Sequence, residues 1–75
     1  YAASRDYKTA LQELVQRKPN QQLVYAHVGE KGPDHMKTFF VEVHLNGTCI
    51  GRGRGRSKKE AEQTAAADAL KALDK

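Results

Sequence analysis

Three glycines at alternate positions, Gly51, Gly53 and Gly55, lead through Arg56 and Ser57 into an alanine-rich segment. A spacing of two places all three on one face of a strand, and that bare face leaves room for a closely packed helix. The following segment supplies one. Six alanines lie between positions 61 and 72, and small residues let a helix lie close to a sheet. Ser57 is a good N-cap and Glu60 stands three residues later, a Ser-x-x-Glu capping box. The spacing predicts a helix over 58–73 with Ala66, Ala69, Leu70 and Leu73 on one face. Two other readings of the alternation are a phosphate-cradling glycine loop and a disordered arginine-glycine tail. The ordered signals on both sides oppose the tail.

The rest of the chain supplies partners for this pair. Asp6 can cap a helix whose apolar positions Tyr7, Ala10, Leu11, Leu14 and Val15 follow the amphipathic stripe, with Pro19-Asn20 ending it. Leu23 to Val28 is a short β-prone run interrupted by His27. Residues 30–36 hold Lys-Gly-Pro-Asp-His, a loop by its turn residues. Thr38 to Leu45 alternates, with Phe39, Val41, Val43 and Leu45 on one face and Phe40, Glu42 and His44 on the other. Asn46-Gly47 is a strong hairpin signal, so Thr48 to Arg54 returns antiparallel. The order is α-β-β-β-α, an α+β fold. Its simplest packing is a three-stranded antiparallel sheet with both helices on one face.

Charge gives the first hint of a partner. The stretch 51–59 holds Arg52, Arg54, Arg56, Lys58 and Lys59 and no acid, in a chain of 75 residues with net charge +4. Lys58 and Lys59 fall in the first helical turn, beside the positive end of the helix dipole. That placement costs about 0.3–1 kcal/mol per charge. A local rule broken at a well-capped helix start is expected of a functional site. A helix N-terminus with added cations suits phosphate, so the residues point to a nucleic-acid backbone binder. Cys49 is the only cysteine, which rules out an internal disulfide or a cysteine-cluster zinc site and favours a reducing, intracellular setting. No convergent set of metal ligands is apparent; His27 and His44 read as surface or boundary residues and Cys49 as a small strand filler. No apolar run approaches a membrane span, and no signal peptide is visible. The chain begins at Tyr1 rather than Met and is expected to be a piece of a longer protein.

Three separated segments together resemble the double-stranded-RNA-binding domain. Asp6-Tyr-Lys-Thr-Ala-Leu-Gln-Glu-Leu14 is similar to its first helix. Gly32-Pro-Asp-His35 with Lys37-Thr-Phe39 is similar to its first interstrand loop and second strand. Gly51-x-Gly-x-Gly-Arg-Ser-Lys-Lys-Glu-Ala-Glu62 is similar to its third strand and second helix start. The likeness covers residues 5–73, as one domain within 1–75, and is greatest to the C-terminal domain of bacterial ribonuclease III. The resemblance implies recognition of A-form RNA by shape. Thr9, Gln12 and Glu13 would reach one minor groove, and Gly32, Pro33, Asp34 and His35 the next. Arg56, Ser57, Lys58 and Lys59 would grip phosphates across the major groove between them. The residue chemistry agrees: Gln12 and Glu13 can bond 2′-hydroxyls, and lysines are flexible point charges suited to phosphate.

Two positions depart from the family pattern. Many such domains carry a third lysine where this chain has Glu62, which would weaken the phosphate grip there, although ribonuclease III-like sequences often have glutamate. Arg52 and Arg54 stand where relatives frequently have acidic or small residues. They form either a basic flank or a solvated strand face.

The resemblance further implies a parent endoribonuclease, with magnesium in a separate acid-rich nuclease domain through which it would form a homodimer in the cytoplasm. This chain's acids are scattered. The segment itself is therefore expected to bind without cleaving, to need no cofactor and to be monomeric. The competing reading is a protein-interaction or dimerisation module of the same fold with little RNA binding. Such modules would be expected to lack His35 or the Lys58-Lys59 pair, and this chain has both. A single-strand binder would need several aromatics on the open sheet face, where Phe40 stands alone.

Overall fold

The computed structural model describes residues 6–73. Its elements are α1 (Tyr7–Val15), β1 (Leu23–Lys31), β2 (Thr38–Leu45), β3 (Thr48–Gly55) and α2 (Lys58–Leu73). The strands form an antiparallel sheet in the order β1-β2-β3. The hairpin turn between β2 and β3 is Asn46-Gly47, both with positive φ, as the two-residue signal predicts.

Alternation decides which face is covered. Leu23, Tyr25 and His27 lie opposite Leu45, Val43 and Val41, while Gly51, Gly53 and Gly55 lie opposite Val43, Val41 and Phe39. This inner face meets both helices. Val41 and Val43 are buried with Leu11 and Val15 of α1 and with Ala61, Ala65, Ala66 and Ala69 of α2. Tyr7, Leu23, Tyr25, Phe39, Leu45, Ile50 and Leu70 pack around this cluster.

The glycine face does what its spacing requires. A Cβ on Gly51 would stand 2.6 Å from the Ala65 carbonyl oxygen. One on Gly53 would stand 2.6 Å from the Thr64 carbonyl carbon, and one on Gly55 2.8 Å from the Ala61 nitrogen. These neighbours are helix backbone, which cannot yield as a side chain would. The helix axis lies so near the strand that only glycine fits beneath it.

Several sequence expectations change. α1 ends at Val15, with Gln16 as its C-cap, before Pro19-Asn20 is reached. β1 continues to Lys31 instead of stopping at Val28, because a bulge between His27 and Gly29 keeps pairing with β2 alive past the break in alternation. The loop consequently shrinks to residues 32–37. Leu73 is 38% exposed, while Ala61 and Ala65 are buried instead. The contact stripe of α2 is centred where β3 lies, which helical spacing alone does not specify.

Candidate nucleic-acid interface

The start of α2 is built by the residues around it. Ser57 Oγ accepts from the Glu60 backbone N–H at 3.0 Å, as an N-cap should. The reciprocal bond differs from expectation: Glu60 Oε1 accepts from the Arg56 N–H at 2.8 Å, one residue before the cap. The glutamate thereby ties the end of β3 to the first turn of α2. Arg56, Ser57, Lys58 and Lys59 are all exposed. No ion pair forms on Lys58 or Lys59 among the described residues, although each stands within one turn of Glu60 or Glu62. A shallow depression of about 230 Å³, lined by Thr38, Arg54, Gly55, Arg56 and Glu60, adjoins this turn.

The interstrand loop sits at the same end of the sheet, since Glu30 and Gly55 both pair with Phe39. Gly32 has φ +103°, and a Cβ there would lie 2.6 Å from the Met36 carbonyl oxygen, so both backbone and space demand glycine. Pro33 accepts from the Met36 N–H at 2.9 Å, closing the turn. Lys37 Nζ reaches Glu30 at 3.2 Å and Asp34 at 3.8 Å. These pairs brace the loop and engage the Asp34 carboxylate. His35 at the tip is exposed.

Thr9, Gln12 and Glu13 share one exposed face of α1 by i, i+3, i+4 spacing. The placement of that face comes from α2. Gln63 Oε1 accepts from the Tyr7 N–H at 2.7 Å and the Lys8 N–H at 3.2 Å, and Gln63 Nε2 donates to Asp6 Oδ1 at 3.0 Å. Asp6 caps α1 by accepting from the Thr9 N–H at 3.1 Å and the Thr9 hydroxyl at 2.5 Å. These bonds, chiefly those from Thr9 and Gln63, hold the exposed Asp6 carboxyl down to about 2. Thr9 has its hydroxyl proton committed to Asp6, which leaves its oxygen free only to accept.

Glu62 completes the junction. One carboxylate oxygen takes Lys8 Nζ at 2.5 Å and the other His27 Nε2 at 2.7 Å. The hydrogen bond from Lys8 is the main cause of its lowered pKa, against an opposing push from burial. Lys8 also lies 4.9 Å from the centre of the Tyr25 ring. Glu62 is therefore the anchor joining α2 to α1 and β1. Sequence reading saw only a missing cation, because the partners are more than thirty positions away along the chain.

Arg52 is paired away from the start of α2. Its Nε lies 3.1 Å from Glu42 Oε2 on the outer sheet face, and its backbone N–H reaches Asp68 Oδ2 at 2.9 Å. Arg54 is exposed beside the start of α2.

A cationic turn that is free of ion pairs among the described residues, a braced loop at the same end of the sheet and a polar α1 face are carried on an α-β-β-β-α fold. The family model described as "Double-stranded RNA binding motif" matches residues 7–73, and the chain belongs to that family. It is 49% identical over 73 residues to "Ribonuclease 3" of Enterococcus faecalis, covering 97% of this chain and 32% of that protein. It is 54% identical over 70 residues to "Ribonuclease 3" of Pelotomaculum thermopropionicum, covering 93% and 29%. The chain thus spans about a third of the length of these relatives. Among solved structures, Dicer from Pichia stipitis matches with a TM-score of 0.72 at 33% identity, over 88% of this chain and 32% of that one. The second dsRBD of DRB4 matches with a TM-score of 0.64 at 33% identity, over 91% and 94%.

Among the described residues, no helix is long and apolar enough to cross a membrane.

Proposed function

We propose that this domain captures double-stranded RNA by its A-form shape and serves as the substrate-binding domain of a ribonuclease III. The observation that carries this reading is the Lys58-Lys59 pair, free of ion pairs among the described residues, on a capped helix start at the same end of the sheet as the loop that bears His35. In this reading Lys58, Lys59 and Arg56 take phosphates across the major groove. Ser57 adds its hydroxyl proton, since its oxygen is already accepting as the cap. Gly32, Pro33, Asp34 and His35 enter one minor groove, and Thr9, Gln12 and Glu13 the adjoining one. Such domains span about 16 base pairs. Glu13 and Asp34 are acidic, so they serve as acceptors for 2′-hydroxyls and not as phosphate ligands.

The parent enzyme, on this reading, cleaves duplex RNA in a separate nuclease domain that holds magnesium and dimerises, in the cytoplasm. This segment supplies the substrate grip and no catalytic group. The basis for that extension is the identity to bacterial ribonuclease 3 proteins over nearly the whole of this chain.

Titration with duplex RNA, duplex DNA and single-stranded RNA of equal length tests the reading. Duplex RNA should bind much the tightest at physiological salt, because only it presents 2′-hydroxyls at A-form spacing. Duplex DNA binding within about twofold of duplex RNA would mean a purely electrostatic grip and would sink the proposal.

A further inference from the structure

We infer that Glu42, His44 and Cys49, on the sheet face turned away from both helices, form a thiolate-containing site for a divalent transition metal of the zinc type. One ligand atom from each residue lies within 4.8 Å of the other two.

The strand geometry creates this triangle. Glu42 and His44 are two residues apart on β2 and so share the outer face. Cys49 would not join them in a regular hairpin. Continuing the Val43–Gly51 register would pair Leu45 with Cys49 and put its sulfur on the inner face. The bulge between Val43 and His44 instead sets Cys49 opposite His44. Two ligands on one strand and a third directly across from them give a three-point facial arrangement with an open side toward solvent.

The donors suit that use. All three side chains are half-buried. His44 Nε2 is 3.0 Å from Glu42 Oε1, near the roughly 3.3 Å separation of two nitrogen or oxygen ligands on one tetrahedral zinc. Arg52 Nε holds the other carboxylate oxygen at 3.1 Å. It orients the carboxylate with Oε1 toward His44, as hydrogen bonds to ligating carboxylates commonly do. The Cys49 thiol makes only a weak contact of 3.6 Å to the Gly51 carbonyl, which metal binding would replace. A sulfur, a nitrogen and one carboxylate oxygen favour zinc-like ions over magnesium or calcium. On binding, the Cys49 proton leaves to solvent. Thiolate and carboxylate then balance the dication, with Arg52 as outer charge. A water would fill the fourth position. The site shares no residue with the RNA-contacting surface, so it is a separate function of the opposite face.

The test is a Co²⁺ titration of the 75-residue protein under a non-thiol reductant, followed by displacement with Zn²⁺. The expected result is one equivalent bound, with a thiolate-to-cobalt charge-transfer band, visible bands of a four-coordinate ion, and loss of both on adding Zn²⁺. Cys49→Ser should abolish the charge-transfer band. His44→Gln and Glu42→Gln should each weaken Co²⁺ binding at least about tenfold while circular dichroism stays native. His44→Gln keeps a hydrogen bond to Glu42 available, so it remains a folded test should Cys49→Ser disturb the strand. Absence of a thiolate band from the native protein at saturating Co²⁺ would overturn the site. So would a band whose affinity is unmoved by both His44→Gln and Glu42→Gln, since that describes a lone thiol.

Discussion

The two helices are fastened to the molecule by opposite means. α2 lies against β3 with almost nothing between them: glycines below, alanines above, and helix backbone within touching distance of strand backbone. α1 is a nine-residue helix, shorter than a helix that stands alone in water. It is held by the buried Leu11 and Val15 with Tyr7 packed beside them, and by polar groups reaching over from α2. Gln63 and Asp6 cap it, while Glu62 pins Lys8. Steric fit positions α2, the helix proposed to grip phosphate; hydrogen bonds and ion pairs position α1, the one proposed to read a groove. The first attachment tolerates no added atom, and the second depends on charge and so on pH.

The largest effect should come from the steric attachment. Gly53→Ala puts a methyl group into the α2 backbone, so α2 must move away from β3. The expected loss is about 3 kcal/mol, enough to unfold much of so small a domain. Arg54→Ala, on the opposite face of the same strand, should stay within about 0.5 kcal/mol of the parent. Urea denaturation followed by circular dichroism compares them, and equal midpoints would show that α2 is not held by close approach.

The cations at the start of α2 should matter next, and for binding alone. Lys58→Ala with Lys59→Ala leaves Ser57 and Glu60 in place, so the fold should persist or gain slightly as unfavourable dipole interactions vanish. Duplex RNA affinity should fall by about tenfold or more at physiological salt. The slope of log affinity against log salt should drop by about 0.7–0.9 for each phosphate no longer neutralised. Gln12→Ala on α1 and His35→Ala in the loop should weaken binding with little change of slope, since both are proposed as groove contacts and not as phosphate contacts. A salt series of binding isotherms separates the two classes. Unchanged slope in the double-lysine variant would remove Lys58 and Lys59 from the phosphate surface.

A smaller effect should follow from cutting the polar junction. Glu62→Gln leaves Lys8 and His27 without their anion and should cost about 1–2 kcal/mol. The loss should be local: amide hydrogen exchange in α1 should quicken while the centre of α2 keeps its protection. Uniform loss of protection across both helices would show that they are fastened as one unit.

The least effect belongs to the cap of α1. The folded Asp6 carboxyl, near 2, lies below its ordinary value of 3.8, so its stabilisation is complete above about pH 4. It is lost as pH falls from there toward 2, when the carboxylate takes up a proton. Melting temperatures from pH 2 to 6 should decline less steeply at the acid end for Asp6→Asn than for the native chain. Parallel curves would mean Asp6 does not cap α1 in solution.

Much of this architecture was legible because its signals are local. The Asp6 cap, the alternation of Thr38–Leu45, the Asn46-Gly47 turn and the Ser57 cap each involve residues within a few positions of one another. The glycine face was legible as well, since a run of side-chain-free positions states its own packing demand. Lys58 and Lys59 were marked by charge at a capped helix start, the α1 and loop contacts proposed for RNA came through the family resemblance, and the structure leaves all of them exposed. The true end of β1, the buried stripe of α2, the anchoring role of Glu62 and the outer-face triangle of Glu42, His44 and Cys49 were not legible. Each depends on register or on which element lies opposite. A one-residue bulge reverses the face of every side chain beyond it, and no local pattern announces it. Local chemistry determined which helices and strands this chain forms; only tertiary packing decided which charged side chains meet, because their partners are brought together by the fold and not by their order in the chain.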